Sequence, residues 1–312
     1  MISICPYHPS RQAEWDGFVS QAKNGTFLFY RDYMDYHADR FTDASLLFYA
    51  AGALAAVLPA NTANGQLVSP AGLTFGGLVS GRRMRAATML RIVEALRAHL
   101  SERGFSRLLY KRVPHIYHDI PADEDLYALF RNNAALTRRD LSAAVLQADR
   151  PPYTKGRRWS IRRSSKHHVV VGQSDALEEF MRVETELMLA KFGKPPVHTA
   201  AELRRLATRF PDNIKLFTAT RDGRLLAGAV IYESKNVAHT QYILSTDEGR
   251  EIGALDVLID DLINVVYARK RYFDFGTSNA EEGRVLNEGL FENKESYGAR
   301  AVVHEFFEVL GS

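Results

Sequence analysis

A succession of hairpin, amphipathic helix and strand occurs twice along the chain, and no other feature of the sequence restricts the fold as strongly. Residues 44–59, ASLLFYAAGALAAVLP, place apolar β-formers on either side of a turn at Gly52. Residues 214–233 do the same around Asp222-Gly223, a dipeptide suited to a two-residue hairpin turn. Each hairpin leads into a helical pattern. Apolar side chains recur at Met89, Leu90, Ile92, Val93, Leu96 and Leu100 within 84–103, and at Leu255, Leu258, Ile259, Leu262, Ile263 and Val266 within 254–270. Strands are expected next, at 106–112 and 271–276. The implied class is α/β (α+β), with two tandem modules of one type, each a mixed twisted sheet flanked by helices. Pro151-Pro152 cannot continue a helix, so the boundary is expected near 149–154, giving modules 1–150 and 151–312. A further strand is expected at 141–147, and helices at 175–192 and 199–210. The second of these helices opens on a capping box of Thr199 and Glu202.

Composition sets the class of environment. The 312 residues are 46% hydrophobic and 25% charged, enough for a sizeable core. The single cysteine, Cys5, cannot form an internal disulfide, and no thiol cluster is available for zinc. A reducing, cytoplasmic location and a metal-free fold are expected. No apolar run reaches the ~18 residues of a membrane span, and polar residues interrupt the N-terminus before a signal peptide can form. Net charge is only +3, yet Lys155, Arg157, Arg158, Arg162, Arg163 and Lys166 fall together with no acid among them. Within this basic segment, 155–168, Arg158, Arg162 and Lys166 recur at i, i+4 and i+8 and form one cationic ridge if helical. Forked guanidinium donors match phosphate oxygens, so a pyrophosphate, nucleotide or RNA backbone is the indicated client. The plainer reading is a solvated helix face with Trp159 tucked against the domain.

Residues 272–298 are the most distinctive stretch. An apolar strand ending in Asp274-Phe275-Gly276 brings a carboxylate to a sheet rim, and glycines then punctuate a polar region. Lys294 is the cation expected near developing negative charge, while Ser278, Glu282, Asn287 and Glu288 are candidates for holding an acceptor amine or hydroxyl. Turn capping by Asp274 and a surface ion pair for Lys294 are the simpler alternatives. His239 lies on a strand near this region, either as a base or as a packed histidine. In the first half, Asn24, Phe29, Tyr33, Tyr36 and His37 are read as one aromatic-rich helix, with Tyr33 and Tyr36 as sugar-stacking candidates against a core alternative. His115, His118 and Asp119 have metal-type chemistry but sit in a Pro-rich connection, where an exposed loop is the better account. No Walker loop, GxSxG or GxGxxG sequence occurs.

The runs FDFGTS, EEGR, LNEGL and NKESYGAR, preceded by KPPVHTAAEL, FPDNIKLFTA and GRLLAGAVIY, resemble the FemAB-like, tandem-GNAT acyltransferases. They also resemble the members often met among polysaccharide or O-antigen biosynthesis proteins. In the first half NGTFLFYRDYMDYHADRF, LLFYAAGALAAVLPA and SPAGLTFGGL are similar to the same group, so the resemblance covers essentially the whole chain. It implies two GNAT-like modules and direct transfer of an acyl group to an amine, with no covalent enzyme intermediate, in a cleft between the halves. Lys294 matches the lysine of the family's terminal FK-x-x-FG motif, as a phosphate or oxyanion partner, although Tyr297 stands where phenylalanine is usual.

The donor is left open. Acyl-CoA is the expected co-substrate, with no tightly bound cofactor and an amino sugar, nucleotide- or lipid-linked, as acceptor. The phosphate loop of CoA users is present only in degenerate form at 250–255, where Arg250 and Gly253 match but Leu255 replaces the final small residue. Aminoacyl-tRNA is the alternative donor, which the basic ridge suits. A non-catalytic pair of modules binding RNA or a partner protein is the third reading.

Overall fold

A computed structural model describes the backbone of residues 1–312 and every side chain except that of His37. It comprises two compact units, one of Met1–Leu141, Asn279–Leu286 and Val302–Ser312, the other of Ser142–Ser278 and Asn287–Ala301. The division differs from the expected one at 150/151. It falls inside the strand Ala135–Leu146, whose residues from Ser142 onward pair with Tyr272–Thr277, and two later segments return to the first unit. No helix of the described residues is long and apolar enough to cross a membrane.

In the first unit, Ile2–Pro6, Leu46–Ala50, Ala53–Leu58 and Val79–Ser80 form an antiparallel sheet. Ala51 and Gly52 have φ of 51° and 82°, the left-handed pair that a type I′ hairpin turn requires. In a second sheet, residues 306–309 pair with Leu108–Lys111, which runs parallel to Gln66–Ser69, with Asn61–Ala63 and Thr42–Asp43 beyond. The short strands at 61–63 and 66–69 are not foreseen from sequence, being too brief to show periodicity. The helix Ala86–Glu102 buries Met89, Ile92, Val93, Leu96 and Leu100 in one core with Phe48, Leu58 and Leu108. The buried Arg31 lies 3.8 Å from the Tyr7 ring centre and is neutralised by Asp35 and Asp43.

The second unit carries one sheet in the order Val170–Ser174, Ile214–Arg221, Arg224–Glu233, Val237–Ser245, Tyr272–Thr277, then residues 142–146. Asp222 and Gly223 have φ of 51° and 75°, again the type I′ pair. All pairings are antiparallel except that of 237–239 with 272–274. That parallel contact is short. Beyond His239 and Asp274 the two strands part, with Thr277 already paired to Ser142 on the other side.

Register assigns the faces. Lys215, Ile231 and Thr240 are aligned across three strands, and the next row is Ile214, Tyr232, His239 and Asp274, so the two sets point to opposite sides. The helix Leu177–Phe192 covers the His239 side, where its Phe180 ring approaches Gly228. On the other side Tyr267 meets Phe217 edge to face at 5.9 Å. The helix expected over 254–270 is α-helical only at Ala254–Asp261 and continues as a π-turn over Leu262–Val266. The Gln147 amide donates to the carbonyls of Ile263 and Tyr267 at 2.8 and 3.1 Å, competing with the regular ladder at the end of this segment. The capping box is present: Glu202 N–H donates to Thr199 Oγ1 at 3.2 Å, and Thr199 N–H to Glu202 Oε2 at 2.7 Å.

A Cβ added at Gly228 would lie 2.8 Å from the Phe180 ring, whereas one at Gly172 meets nothing within 4 Å. Gly228→Ala is therefore expected to lower unfolding free energy by about 1–3 kcal/mol. In the same urea titration, Gly172→Ala should leave it within about 0.5 kcal/mol.

Candidate active site

Asp274 is fully buried and anchors the second unit at the point where the parallel strands part. Its Oδ1 accepts from Ser142 Oγ at 2.6 Å and from the Gly276 N–H at 3.1 Å, and its Oδ2 lies 2.8 Å from His239 Nδ1. The Asp-Phe-Gly sequence makes this possible locally. A register shift between Asp274 and Thr277 turns the chain back so that the amide two residues on reaches the carboxylate. Gly276 has φ of 73°, and a Cβ there would come within 3.2 Å of His239 Cε1. Glycine thus serves both the turn and the close seat of the imidazole. A proton on Nδ1 satisfies the bond to the carboxylate and turns Nε2 away from it. The His239 side chain keeps 16% of its surface exposed, and among the described residues Nε2 has no partner.

Lys294 comes to the same neighbourhood but plays a different part from the expected one. Only 6% exposed, its amine donates to the carbonyl oxygens of Gly276 and Thr277 at 2.7 and 2.9 Å and to Ser278 Oγ at 2.8 Å. Those three acceptors take all three ammonium protons, leaving none for a developing oxyanion. Burial lowers its pKa to about 8, with the negative charge of Asp274 acting in the opposite sense. Lys294 is a clamp on the 276–278 turn. Ser278, 2% exposed, is part of that clamp, and its carbonyl accepts the Asn287 N–H at 2.8 Å. The Asn287 side chain caps the helix Glu288–Glu295 by accepting from Leu290 N–H at 3.0 Å, and Glu288 stands exposed in its first turn. Glu282 belongs to the first unit, on a turn where Glu281, Glu282 and Gly283 all have positive φ, beside Arg138 and Arg284. Of the candidates, Asp274, His239, Ser278 and Lys294 are drawn together through their side chains, and Asn287 joins them through its backbone N–H.

Sequence reading missed a second cluster on the His239 face. His198 Nδ1 lies 2.7 Å from the Tyr242 hydroxyl, which also accepts the His198 N–H at 3.2 Å. Tyr242 pairs with Val230, in the row next to Gly228, and Glu184 stands one helical turn beyond Phe180. Glu184 is 8% exposed, no cation among the described residues pairs with it, and burial lifts its carboxyl to about 7. Its charge contributes to the raised pKa of Tyr242, where burial is the larger cause. The available signal was a lone glutamate on the apolar face of 177–192.

The basic segment is helical over Lys155–Ser164, with Thr154 as N-cap. One face packs down: Arg157 and Ser160 bind Asp256, the Tyr297 hydroxyl reaches Asp256 Oδ1 at 2.8 Å, and Arg157 lies 4.0 Å from the Tyr297 ring centre. This is the use found for tyrosine at that position. Arg158, Arg162 and Lys166 stay exposed as the ridge, and Trp159 is 62% exposed with Arg163 over its ring at 5.0 Å, so it is not tucked inward. Arg250 and Gly253, the expected donor-binding pair, both have neighbours from within the second unit. Arg250 is engaged by Asp247 and the Ser245 carbonyl, and Ser164 Oγ lies 2.2 Å from where a Gly253 Cβ would project. The basic helix fills that space.

The aromatic candidates of the first unit are core residues rather than a sugar platform. Tyr33 and Tyr36 are 2% and 8% exposed and meet edge to face at 5.6 Å, within short helical turns at Phe27–Phe29, Arg31–Met34 and Asp35–His37 rather than one helix. The His37 side chain lies outside the described residues. His118 is buried, not in an exposed loop, and its Nε2 lies 3.1 Å from the Val113 carbonyl. Among the described residues no group of three or more His, Cys, Asp or Glu is placed to hold a metal ion.

Residues 153–283 match the family model described as Acetyltransferase (GNAT) domain. The crystal structure of FemX is similar over 99% of this chain and 97% of its own, with a TM-score of 0.69 at 11% identity. The structure of L-PGS from Bacillus licheniformis is similar over 97% of this chain and 92% of its own, with a TM-score of 0.63 at 12% identity. A tandem GNAT protein from the clavulanic acid biosynthesis pathway covers 99% and is itself covered to 98%, with a TM-score of 0.51 at 13% identity. No curated protein matches the chain by sequence. At these identities the structural likenesses establish the fold, two tandem GNAT-like modules.

Glu184 generates a pH dependence. Its native pKa of about 7 lies above the usual 4.5, so between those values the native protein holds a proton that the unfolded chain releases, and stability falls as pH rises. Glu184→Gln should remove that fall. By urea denaturation the variant is expected to gain on the parent by about 2 kcal/mol at pH 8 and by little at pH 5.

Proposed function

We propose that this N-acyltransferase, FemAB-like and of tandem GNAT fold, moves an aminoacyl group from aminoacyl-tRNA to a primary amine, with His239 as general base. The observation that carries the reading is the imidazole held through Nδ1 by a fully buried carboxylate, where two parallel strands part. A neutral amine attacks the activated carbonyl, its proton passes to His239 Nε2, and the same proton is returned to the departing oxygen. The N–C bond forms as the ester C–O bond breaks. Asp274 holds the ring orientation and stabilises the imidazolium that forms. Lys294 and Ser278 keep the 276–278 turn in place beneath it. Glu184, without a cation of its own, suits the ammonium form of an acceptor on the same face of the sheet.

Two features support a nucleic-acid-borne donor over a CoA thioester. Space against Gly253, where a pyrophosphate loop is expected, is filled by Ser164, and Arg250 is engaged internally. The outward side of the same basic helix presents Arg158, Arg162 and Lys166 beside the exposed Trp159, the combination of cations and an aromatic face that suits a phosphodiester strand with unstacked bases. Acyl-CoA transfer to an amino sugar, nucleotide- or lipid-linked in cell-surface polysaccharide synthesis, is the second reading, favoured by the match of 153–283 to the acetyltransferase model. It shares the same base.

His239→Asn and Asp274→Asn are each expected to lower kcat by about 10²–10⁴-fold, with circular dichroism unchanged, in assays pairing aminoacyl-tRNAs or acyl-CoAs with amino-sugar acceptors. Parental turnover by His239→Asn would remove the proposed base. Arg158→Glu with Arg162→Glu should weaken tRNA binding and lower the slope of log K against log salt by about two. Unchanged tRNA binding in that variant, with saturable acyl-CoA binding, would select the second reading.

A further inference from the structure

We propose that the second unit docks on an anionic membrane surface through the side of its sheet opposite His239. A cavity of about 610 Å³ opens there, lined by Lys215, Lys235, Arg269 and Lys270 against the single carboxylate Glu233, with Phe217, Val266 and Tyr267 as its apolar wall. Register separates it from the catalytic face: Lys215 and Phe217 alternate with Ile214 and Leu216, which share the row pattern of His239.

Glu233 is shared by two of the cations, Lys215 and Lys270, each at 2.8 Å, and Lys270 also donates to the Ser234 carbonyl at 2.7 Å. One carboxylate between two ammonium groups leaves excess positive charge, and Arg269 adds to it from an exposed position. Such a pocket accommodates a phosphate. What selects a lipid surface over a soluble phosphate is the rim. Val265 and Val266 are 69% and 41% exposed, adjacent on the Leu262–Val266 π-turn, and only three residues from Arg269. Two neighbouring β-branched apolar residues turned to solvent beside a cluster of cations match the interfacial layer of a bilayer, with apolar groups entering the acyl boundary and cations meeting headgroup phosphates. The π-turn itself brings the valines out: its extra residue shifts the helical phase, and Tyr267 N–H bonds the Leu262 carbonyl at 2.9 Å, five residues back. The surface stands independently of the catalytic reading, because register places it on the side of the sheet opposite His239 and Asp274.

The test is co-sedimentation of the full chain with vesicles of phosphatidylcholine alone and of phosphatidylcholine with about one third phosphatidylglycerol. Binding is expected to the anionic vesicles and not to the neutral ones, weakening as salt rises. Lys235→Glu with Arg269→Glu, and separately Val265→Asp with Val266→Asp, should each reduce the partition coefficient about tenfold or more while the melting temperature is unchanged. Arg158→Glu with Arg162→Glu, on the basic helix, should retain most of the binding. No binding to anionic vesicles overturns the proposal. So does loss confined to the basic-helix variant, or full binding by the valine variant together with complete competition by millimolar inorganic phosphate, which would mark a soluble-anion site.

Discussion

A carboxylate with no exposed surface is the interaction on which the second unit turns. Burying Asp274 ionised costs several kcal/mol unless each oxygen finds donors, and here three separate segments supply them. Ser142 comes from within the strand Ala135–Leu146, the Gly276 amide from a register shift two residues on, and His239 from the neighbouring parallel strand. Satisfying the carboxylate therefore fixes how strands 142–146, 237–245 and 272–277 align at this point. A slip of one residue would send Asp274 to the other face and leave a buried charge without partners. The imidazole orientation that general-base chemistry needs follows from the same requirement that holds the sheet in register.

The two faces of that sheet carry different chemistry because side chains alternate. One face gathers titratable groups, His239, Asp274, Tyr242 and Glu184, beneath a helix that is otherwise apolar toward the sheet. The other gathers aromatic and cationic side chains around Glu233. The first offers a carboxylate without a cation among the described residues and an imidazole held by Asp274, the basis of the proposed amine acceptor. Anionic groups suit the second.

The basic helix shows how one element can serve inward and outward roles. Asp256, in the first turn of the helix Ala254–Asp261, draws Arg157, Ser160 and Tyr297 to itself, and Ser164 closes against Gly253. Those contacts seat the basic helix against the first turn of that second helix. Arg158, Arg162 and Lys166 of the same segment face solvent. Tyr297 is tied to this arrangement through its hydroxyl, which reaches Asp256 Oδ1 at 2.8 Å.

Local chemistry was legible in the sequence. The two type I′ turns, at Ala51-Gly52 and Asp222-Gly223, the capping box of Thr199 and Glu202, the amphipathic helix from Ala86 to Glu102 and the glycine-dependent Asp274 turn each depend on residues within a few positions of one another. Propensity and spacing suffice for those, and they were enough to indicate a duplicated α/β order. Partnership over long separations was not legible. That Lys294 would spend its protons on the 276–278 turn, that Tyr33 and Tyr36 would pack together, that Ser164 would fill the space at Gly253, and that Glu184 would lie buried near Tyr242 were settled by packing. A residue's type determines what it can donate or accept. Which of those capacities is left for a ligand depends on what folding brings within about 3 Å of it, and only the tertiary structure decides that.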